Sequence, residues 1–203
     1  MKQKLYKWKR TIINYHKLIK QAKKLRELSR GNDQDVELLL NILKTFHEFK
    51  PSQMDMEISY LYNFVKSKNI RNICEIGSYK GGSLFILCQA ASNDARIISI
   101  DKFYPLARRY AHKIFKKNNQ KLFLIKGDTQ ELKTLKNTRR LLNGELLDLL
   151  FIDGDHSLFG VMNDYIRFSP LVREGGFIAF HDIHPDYFTK EGIKTSAYVG
   201  DVP

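Results

Sequence analysis

The chain has 203 residues, of which 43% are hydrophobic and 28% charged, values that are typical of a globular protein and exclude a disordered chain. No stretch approaches the roughly 20 consecutive apolar residues of a membrane-spanning helix, and the basic N-terminus lacks the apolar region of a secretory signal peptide. Two cysteines, Cys74 and Cys88, suggest neither a disulfide framework nor a zinc motif. We therefore expect a cytoplasmic protein.

The net charge of +12 belongs almost entirely to the N-terminal arm, residues 1–30, which hold eleven Lys or Arg and one acid. Apolar residues recur in this arm at spacings of three and four, namely Leu5, Trp8, Ile12, Tyr15, Ile19 and Ala22. The pattern predicts a basic amphipathic helix that lies on an anionic membrane surface, at the inner face, or packs on a protein partner. In the alternative, the apolar stripe packs on the rest of the chain and the lysines are solvated.

Two more helices are predicted in a lead-in segment, residues 31–69. Gly31-Asn32-Asp33 ends the first helix and supplies a cap for the second, at about 34–48. Pro51-Ser52 opens the third, which runs to about Lys68, with Ser52 as N-cap and Asp55 completing a variant of the capping box.

From residue 70 to residue 203 the pattern changes to strands alternating with helices. Short apolar runs predict five strands, at Asn72–Ile76, Arg96–Ile100, Leu122–Ile125, Leu146–Ile152 and Gly176–Phe180. Helical spacing lies between them, at 82–92, 104–118, 129–143 and 157–172. The predicted fold class is α/β, a doubly wound, mainly parallel Rossmann-like sheet of at least five strands that follows an N-terminal helical segment.

In such a sheet, ligands bind beyond the carboxyl ends of the strands, and the first three predicted strands all end in an acid. The first strand runs into the glycine-rich turn Glu75-Ile-Gly-Ser-Tyr-Lys-Gly-Gly-Ser83, where the backbone can approach a ligand closely. Asp101 ends the second strand, at a position suited to a ribose diol, and Asp128 follows the third. Alternatively, the glycines serve a tight turn and the acids cap helices.

The fourth and fifth strand ends carry acids and imidazoles. Three of the six histidines in the chain lie here, beside three aspartates: His156, His181, His184, Asp153, Asp155 and Asp182. Adjacent strand ends bring such groups together, where they bind a divalent metal or supply a general base. Alternatively, Asp155 and Ser157 cap the next helix and the histidines are solvated.

Together these motifs resemble a class I S-adenosylmethionine-dependent methyltransferase. The resemblance covers roughly residues 52–185 and is carried by the glycine-rich turn, Asp101, Gly127-Asp128, Phe-Ile-Asp153-Gly-Asp-His156 and Gly175-Gly-Phe-Ile-Ala-Phe-His181-Asp182. The subgroup it resembles most is the bacterial one with cephalosporin hydroxylase-like proteins and macrolide-sugar O-methyltransferases.

The resemblance implies a role for each matching position. The S-adenosylmethionine-binding residues are Glu75, Gly77, Ser78, Gly81, Ser83, Asp101 and Asp128. Among these, Asp101 holds the ribose and Asp128 lies beside the adenine. Asp153, His181 and Asp182 correspond to the Mg²⁺ ligands of metal-dependent relatives, and His156 to a catalytic base that Asp153 orients.

Two departures from the family pattern are visible. His181 stands where relatives that use carboxylates carry an acid, and imidazole prefers softer metals than Mg²⁺. The chain also stops at Val202-Pro203, so we expect the sixth and seventh strands of the family fold to be missing.

The function that the sequence predicts is methyl transfer to a hydroxyl of a small molecule, a sugar or glycan. One alternative is a nucleic-acid methyltransferase that uses the basic arm, although the sequence after the fourth strand lacks the motif of exocyclic-amine methylases. The other is a catalytically inactive cofactor-binding or scaffold protein. A homo-oligomer is compatible with each of these.

Overall fold

The computed structural model describes residues 2–31 and 35–182, with side chains from Tyr15 onward. Asp33 and His184 therefore lie outside the described residues, as does the question of a sixth and a seventh strand. The chain divides into two compact units that alternate along the sequence. Unit 1 holds residues 1–69, 79–93 and 104–120, and unit 2 holds residues 70–78, 94–103 and 121–203.

Unit 1 is helical. Its helices are α1 (Lys2–Leu28), α2 (Val36–Lys44), α3 (Asp55–Ser67), α4 (Gly82–Ala90) and α5 (Leu106–His112). In the described part of the chain, no helix has both the length and the apolar character needed to cross a bilayer.

The caps of α2 and α3 differ from those that we predicted. The carboxylate of Asp35 caps α2 by accepting from the Leu38 N–H at 3.0 Å. Helix α3 begins at Asp55 with Met54 as its N-cap, so the prediction of Ser52 as N-cap was wrong. Glu57, at the third helical position, accepts from the Met54 N–H at 2.9 Å and so fixes the start of the helix two residues later than predicted.

Helix α1 packs on α5 within unit 1. Ala22 and Leu25 of α1 are fully buried, and the ring of Tyr15 meets the ring of Tyr110 edge-on at 5.9 Å. Over the described side chains, the apolar stripe of the arm is therefore used for packing inside this unit.

Helix α5 is shorter than the predicted segment 104–118. Past His112 the chain tightens into turns in which the Ile114 N–H donates to the Ala111 carbonyl and the Phe115 N–H to the His112 carbonyl. These turns bring the ring of Phe115 into the core, where its centroid lies 5.4 Å from that of the Phe85 ring. The apolar pattern of the sequence continues past the end of α5 because these turns also have a buried face.

Unit 2 contains a five-stranded parallel sheet in the order β3-β2-β1-β4-β5. Its strands are β1 (Asn72–Ile76), β2 (Arg96–Asp101), β3 (Lys121–Lys126), β4 (Leu147–Ile152) and β5 (Val172–Phe180), with helices α6 (Leu132–Leu142) and α7 (Leu158–Phe168). The predicted α/β Rossmann-like fold class is confirmed. The strand order reverses between β1 and β4, which makes their carboxyl ends the switch point where such sheets bind ligands.

Strand interiors form the core of unit 2. Nearly every residue of β1, β2 and β4 is buried, among them Ile98, Ile100, Leu150 and Ile152. Fully buried parallel strands read as continuous apolar runs, which is why the sequence located them so closely.

Candidate functional site

The carboxyl ends of β1 and β4 meet in very close contact. The Asp153 N–H donates to the Ile76 carbonyl at 2.8 Å, and the Gly77 N–H donates to the Ile100 carbonyl at 2.9 Å. Gly77 has a φ of +91°, and a Cβ at this position would lie 1.9 Å from the carbonyl oxygen of Asp153. A glycine is therefore required at this point of the sheet.

Asp101, at the carboxyl end of β2, is tied to the turn after β1. One of its carboxylate oxygens accepts from the Ser78 N–H at 3.2 Å and the other from the Phe103 N–H at 2.7 Å. A carboxylate at this strand end was expected to bind a ribose diol. Of the residues expected to bind the cofactor, Gly77, Ser78 and Asp101 thus lie together.

Glu75 lies deeper than a ligand-binding side chain usually does. It is fully buried inside β1 and accepts from the Ser99 hydroxyl of the adjacent strand at 2.6 Å. This contact joins β1 to β2 directly beneath the Gly77 turn.

Asp128 is engaged by a lysine and by its own turn. Its carboxylate lies 2.8 Å from the Lys102 ammonium and accepts from the Gln130 N–H at 3.0 Å. The contact with Lys102 holds the pKa of Asp128 below its usual range. The pair links the turn after β2 to the turn after β3, the two segments expected to surround a nucleoside.

Gly81 and Ser83 belong to unit 1, at the start of α4. Gly81 is the N-cap, with a φ of +87°, and its carbonyl accepts from the Phe85 N–H. Ser83 is buried in the first turn of the helix. The structure therefore assigns these two predicted cofactor residues to the helical continuation of the glycine-rich turn.

Asp153, His181 and Asp182 form a cluster where β4 and β5 end. Nδ1 of His181 lies 3.2 Å from a carboxylate oxygen of Asp153 and 3.0 Å from one of Asp182. Burial disfavours charge on this imidazole, but the two acids outweigh burial and raise the pKa of His181 to about 10. Conversely, His181 holds the pKa of Asp182 below its usual range.

His156 lies beside the same cluster. Its Nδ1 is 3.3 Å from a carboxylate oxygen of Asp182, whereas we expected Asp153 to be its partner. The side chain of His156 is 39% exposed and can reach a ligand from solvent. The alternative roles predicted for its neighbours also hold: Ser157 caps α7, and Asp155 accepts from the Ser157 N–H.

The cluster has the donor set of a divalent cation site. Asp153, His181 and Asp182 offer one ligand atom each, all within 4.8 Å of one another, and all three residues are half-buried. Carboxylates suit Mg²⁺ and Mn²⁺, and the imidazole extends the range to softer metals. Because ligating imidazole must be unprotonated at the metal-facing nitrogen, a cation and the proton of His181 compete for this place.

Two buried polar residues did not figure in the sequence predictions. Asp164 of α7 is 2% exposed, and burial raises its pKa to about 6. His112 of α5 is fully buried, and burial lowers its pKa to about 3. Both continue the buried stripe of their segment, Asp164 with Val161 and Phe168, so a polar residue at core spacing was the signal that could have identified them.

Residues 74–183 match a family model described as a methyltransferase domain. Tapetum-specific methyltransferase 1 of Arabidopsis thaliana is 32% identical over 129 residues, which cover 61% of this chain and 52% of that protein. The chain spans between 51% and 62% of the length of the curated relatives that it matches.

Among the solved structures that share this fold are the following two methyltransferases. The O-methyltransferase TomG of Streptomyces achromogenes, in complex with S-adenosylmethionine, superposes with a TM-score of 0.54 at 16% identity, over 82% of this chain and 71% of that one. The MycE methyltransferase of the mycinamycin pathway, in complex with Mg, S-adenosylhomocysteine and mycinamycin VI, gives a TM-score of 0.50 at 17% identity, over 85% and 40%.

Proposed function

Because this chain belongs to the methyltransferase-domain family that its residues 74–183 match, we propose that it transfers the methyl group of S-adenosylmethionine to a hydroxyl oxygen of a small molecule. One observation carries the proposal: the strand ends that meet at the switch point of the sheet hold both the Gly77–Ser78–Asp101 turn and, directly beside it, Asp153 with its histidine cluster. A cofactor turn and acid–base groups thus occur at the same edge of unit 2.

The cofactor is bound through its polar groups. The carboxylate of Asp101 accepts from the two ribose hydroxyls, and the Asp128 turn lies beside the adenine. In unit 1, the start of α4 at Gly81 and Ser83 offers backbone N–H groups that suit the carboxylate of the methionine half. Glu75 is buried beneath the turn and supports it through Ser99.

The base is His156. Its Nδ1 faces Asp182, so an Nδ1–H donates to that carboxylate and Nε2 remains to accept a proton. As the hydroxyl oxygen attacks, the O–C bond forms, the C–S bond breaks, and the hydroxyl proton moves to Nε2. The products are the methyl ether, S-adenosylhomocysteine and a protonated imidazole, which then returns its proton to water.

A divalent cation, when bound, lowers the pKa of the acceptor hydroxyl and orients it. Asp153, His181 and Asp182 are the residues that would hold it. Asp182 would then serve both the cation and His156, so removing this one side chain affects orientation of the base as well as cation binding.

A sugar or glycan hydroxyl is the acceptor class that we propose. The neighbour MycE was solved in complex with mycinamycin VI, which supports a small-molecule acceptor. Methylation of a nucleic acid and cofactor binding without catalysis are the competing outcomes.

The exposed lysines of α1 remain a candidate membrane contact. Lys17, Lys20 and Lys23 face solvent while Ala22 and Leu25 are buried. We propose that these lysines attract the chain to an anionic lipid surface, where it meets its acceptor or a protein partner.

The function is tested by supplying S-adenosylmethionine labelled at its methyl group to the full chain with panels of sugars, glycans, catechols and nucleic acids. Label in a sugar or glycan methyl ether supports the proposal. Label in nucleic acid, or cofactor binding with no transfer to any acceptor and no S-adenosylhomocysteine formed, contradicts it. A variant with His156→Ala, carried through the same panels, identifies transfer that does not depend on the site.

A further inference from the structure

His112 is a fully buried histidine of unit 1 whose two ring nitrogens are both engaged. Nδ1 lies 2.6 Å from the hydroxyl oxygen of Tyr104, and Nε2 lies 2.9 Å from the carbonyl oxygen of Lys80. The ring stacks on Phe115, with centroids 5.0 Å apart, and meets Phe49 edge-on at 6.1 Å. Its position is thus fixed by aromatic packing as well as by hydrogen bonds.

These partners determine the tautomer. A carbonyl oxygen only accepts, so the proton must be on Nε2, and Nδ1 accepts from the Tyr104 hydroxyl. Burial lowers the pKa of His112 to about 3, so the ring stays neutral and keeps this arrangement near neutral pH. Tyr104 therefore holds the imidazole in the form that donates to Lys80.

The carbonyl that His112 binds belongs to a loop with an unusual backbone. Tyr79 has a φ of +44° and Gly81 a φ of +87°, so residues on both sides of Lys80 are in the left-handed region. A non-glycine residue rarely adopts this conformation, which persists only where its surroundings enforce it. Tyr79 is 67% exposed, so packing of its ring does not enforce it.

His112 also occupies the space beside the glycine. A Cβ on Gly81 would lie 2.3 Å from Nε2 of His112. Arg108 adds a second donor, with Nη1 3.0 Å from the Glu48 carbonyl and 3.4 Å from the Lys80 carbonyl. The Lys80 carbonyl therefore receives donors from two residues of α5, and the path of the loop is set from that helix.

We propose that His112 is a positioning residue, whose Nε2–H holds the Tyr79–Gly81 loop in the one conformation that binds the methionine half of S-adenosylmethionine. The inference rests on the proposed function, because the loop is part of the cofactor site only if that function is correct. His112 itself is fully buried. It acts through the Lys80 carbonyl.

The test compares side chains that keep or lose the donor. His112→Leu removes it, while His112→Gln places an amide N–H near the position of Nε2. We expect His112→Leu to weaken binding of S-adenosylmethionine, measured by calorimetry on the full chain, by about tenfold to a hundredfold. His112→Gln should stay within about threefold of the wild type. In turnover, KM for the cofactor should rise while kcat changes little.

Gln120 provides a matched control in the same unit. It is also buried, and its amide donates to the carbonyls of Cys88 at 2.8 Å and Ser92 at 3.0 Å, near the other end of α4. Gln120→Leu thus deletes a buried donor to main chain without touching the glycine loop. It should lower the melting temperature as His112→Leu does and leave cofactor affinity unchanged.

Equal cofactor affinities for His112→Leu and Gln120→Leu would overturn the inference while leaving the proposed function intact. If the wild type itself does not bind S-adenosylmethionine, the proposed function fails first. Should His112→Leu not fold, the pair His112→Gln and His112→Asn replaces it. The shorter asparagine does not reach the Lys80 carbonyl, so tenfold weaker binding by His112→Asn alone supports the inference and equal binding by the pair overturns it.

Discussion

The carbonyl oxygen of Asp153 lies 1.9 Å from the place that a Cβ on Gly77 would occupy. The turn expected to bind the cofactor and the strand end that carries Asp153 of the proposed catalytic site are thus packed against each other with no room for even a methyl group. Position 77 is therefore a glycine because the two halves of the site in unit 2 meet there, and not only because a turn needs one.

Gly77→Ala should lower the free energy of unfolding by much more than the positive φ of residue 77 alone would cause. Gly144 provides the control, because it has a similar φ of +85° but no atom within 4 Å of its Cβ position. We expect Gly144→Ala to lower the free energy of unfolding by about 1 kcal/mol and Gly77→Ala by several times as much, as measured by urea denaturation. Equal losses would show that the β1–β4 contact yields to a methyl group.

Asp164 should make the stability of the protein depend on pH between about 4 and 6. Burial raises its pKa to about 6, aided by Asp155 and Asp128, whereas Thr129 and Arg167 favour the charged form. Its Oδ1 has no hydrogen-bond partner among the described residues. Since the folded pKa lies above the unfolded value of about 3.9, protonation stabilises the folded state fully below about pH 4, and this stabilisation is lost as the pH rises through 6.

Asp164→Asn removes that dependence. The variant should match the wild type near pH 4 and exceed it by roughly 1–3 kcal/mol at pH 7.5, as measured by urea denaturation at both values. Asp94 is the control of opposite sign. It is an exposed acid, and its ion pair with Arg71 holds the pKa of the Asp94 carboxyl low. A constant difference between Asp164→Asn and wild type at the two pH values would contradict the assignment.

The exposed lysines of α1 should govern binding to anionic vesicles. Each basic residue near a charged bilayer contributes about 1 kcal/mol, so changing Lys17, Lys20 and Lys23 to glutamine should weaken binding to phosphatidylserine vesicles by roughly a hundredfold. Deleting residues 1–30 is a poorer test, because Ala22 and Leu25 belong to the core of unit 1.

The control for that experiment changes three exposed bases of α6 instead, Lys133, Lys136 and Arg139. Co-sedimentation should separate the two triple variants and should weaken with salt for the wild type. Identical binding by both variants, or equal binding to neutral lipid, would end the membrane proposal.

His156→Ala should lower turnover by about a hundredfold to ten-thousandfold while the affinity for S-adenosylmethionine stays unchanged. His47, which is exposed on unit 1, provides a control, and His47→Ala should turn over normally. Near-normal turnover by His156→Ala would remove the base assignment.

The same assay with EDTA examines the cation. If the Asp153–His181–Asp182 cluster binds one, turnover falls on chelation and returns with Mg²⁺ or Mn²⁺. Unchanged turnover in EDTA would leave His156 and Asp182 to act without a metal.

The sequence predicted the strands well because buried parallel strands are continuous apolar runs. It also predicted that Asp153 and His181 would meet, because Ile152 and Phe180 are register partners in adjacent strands. It could not predict which acid faces which imidazole. That depends on side-chain rotamers and on the left-handed backbone of Asp182, whose φ is +56°, and neither leaves a periodic pattern.

The roles of His112 and Glu57 could not be predicted from the sequence either. His112 is 32 residues from Lys80, and only the turns after α5 and the aromatic packing around Phe115 bring the two together. Glu57 caps α3 through the Met54 N–H, whereas Asp55 is the first residue of the helix. Periodicity identifies buried faces but not the partner across a tertiary contact.

The proposed function depends most directly on cofactor binding by the Gly77–Ser78 turn, where the Ser78 N–H donates to Asp101. Calorimetry of the full chain with S-adenosylmethionine, wild type against Asp101→Ala, measures this. The account predicts that the wild type binds and that the variant binds about tenfold to a hundredfold more weakly, since it loses a carboxylate–diol contact of roughly 1.5–3 kcal/mol. Unchanged affinity in Asp101→Ala, or binding of NAD in place of S-adenosylmethionine, would contradict it.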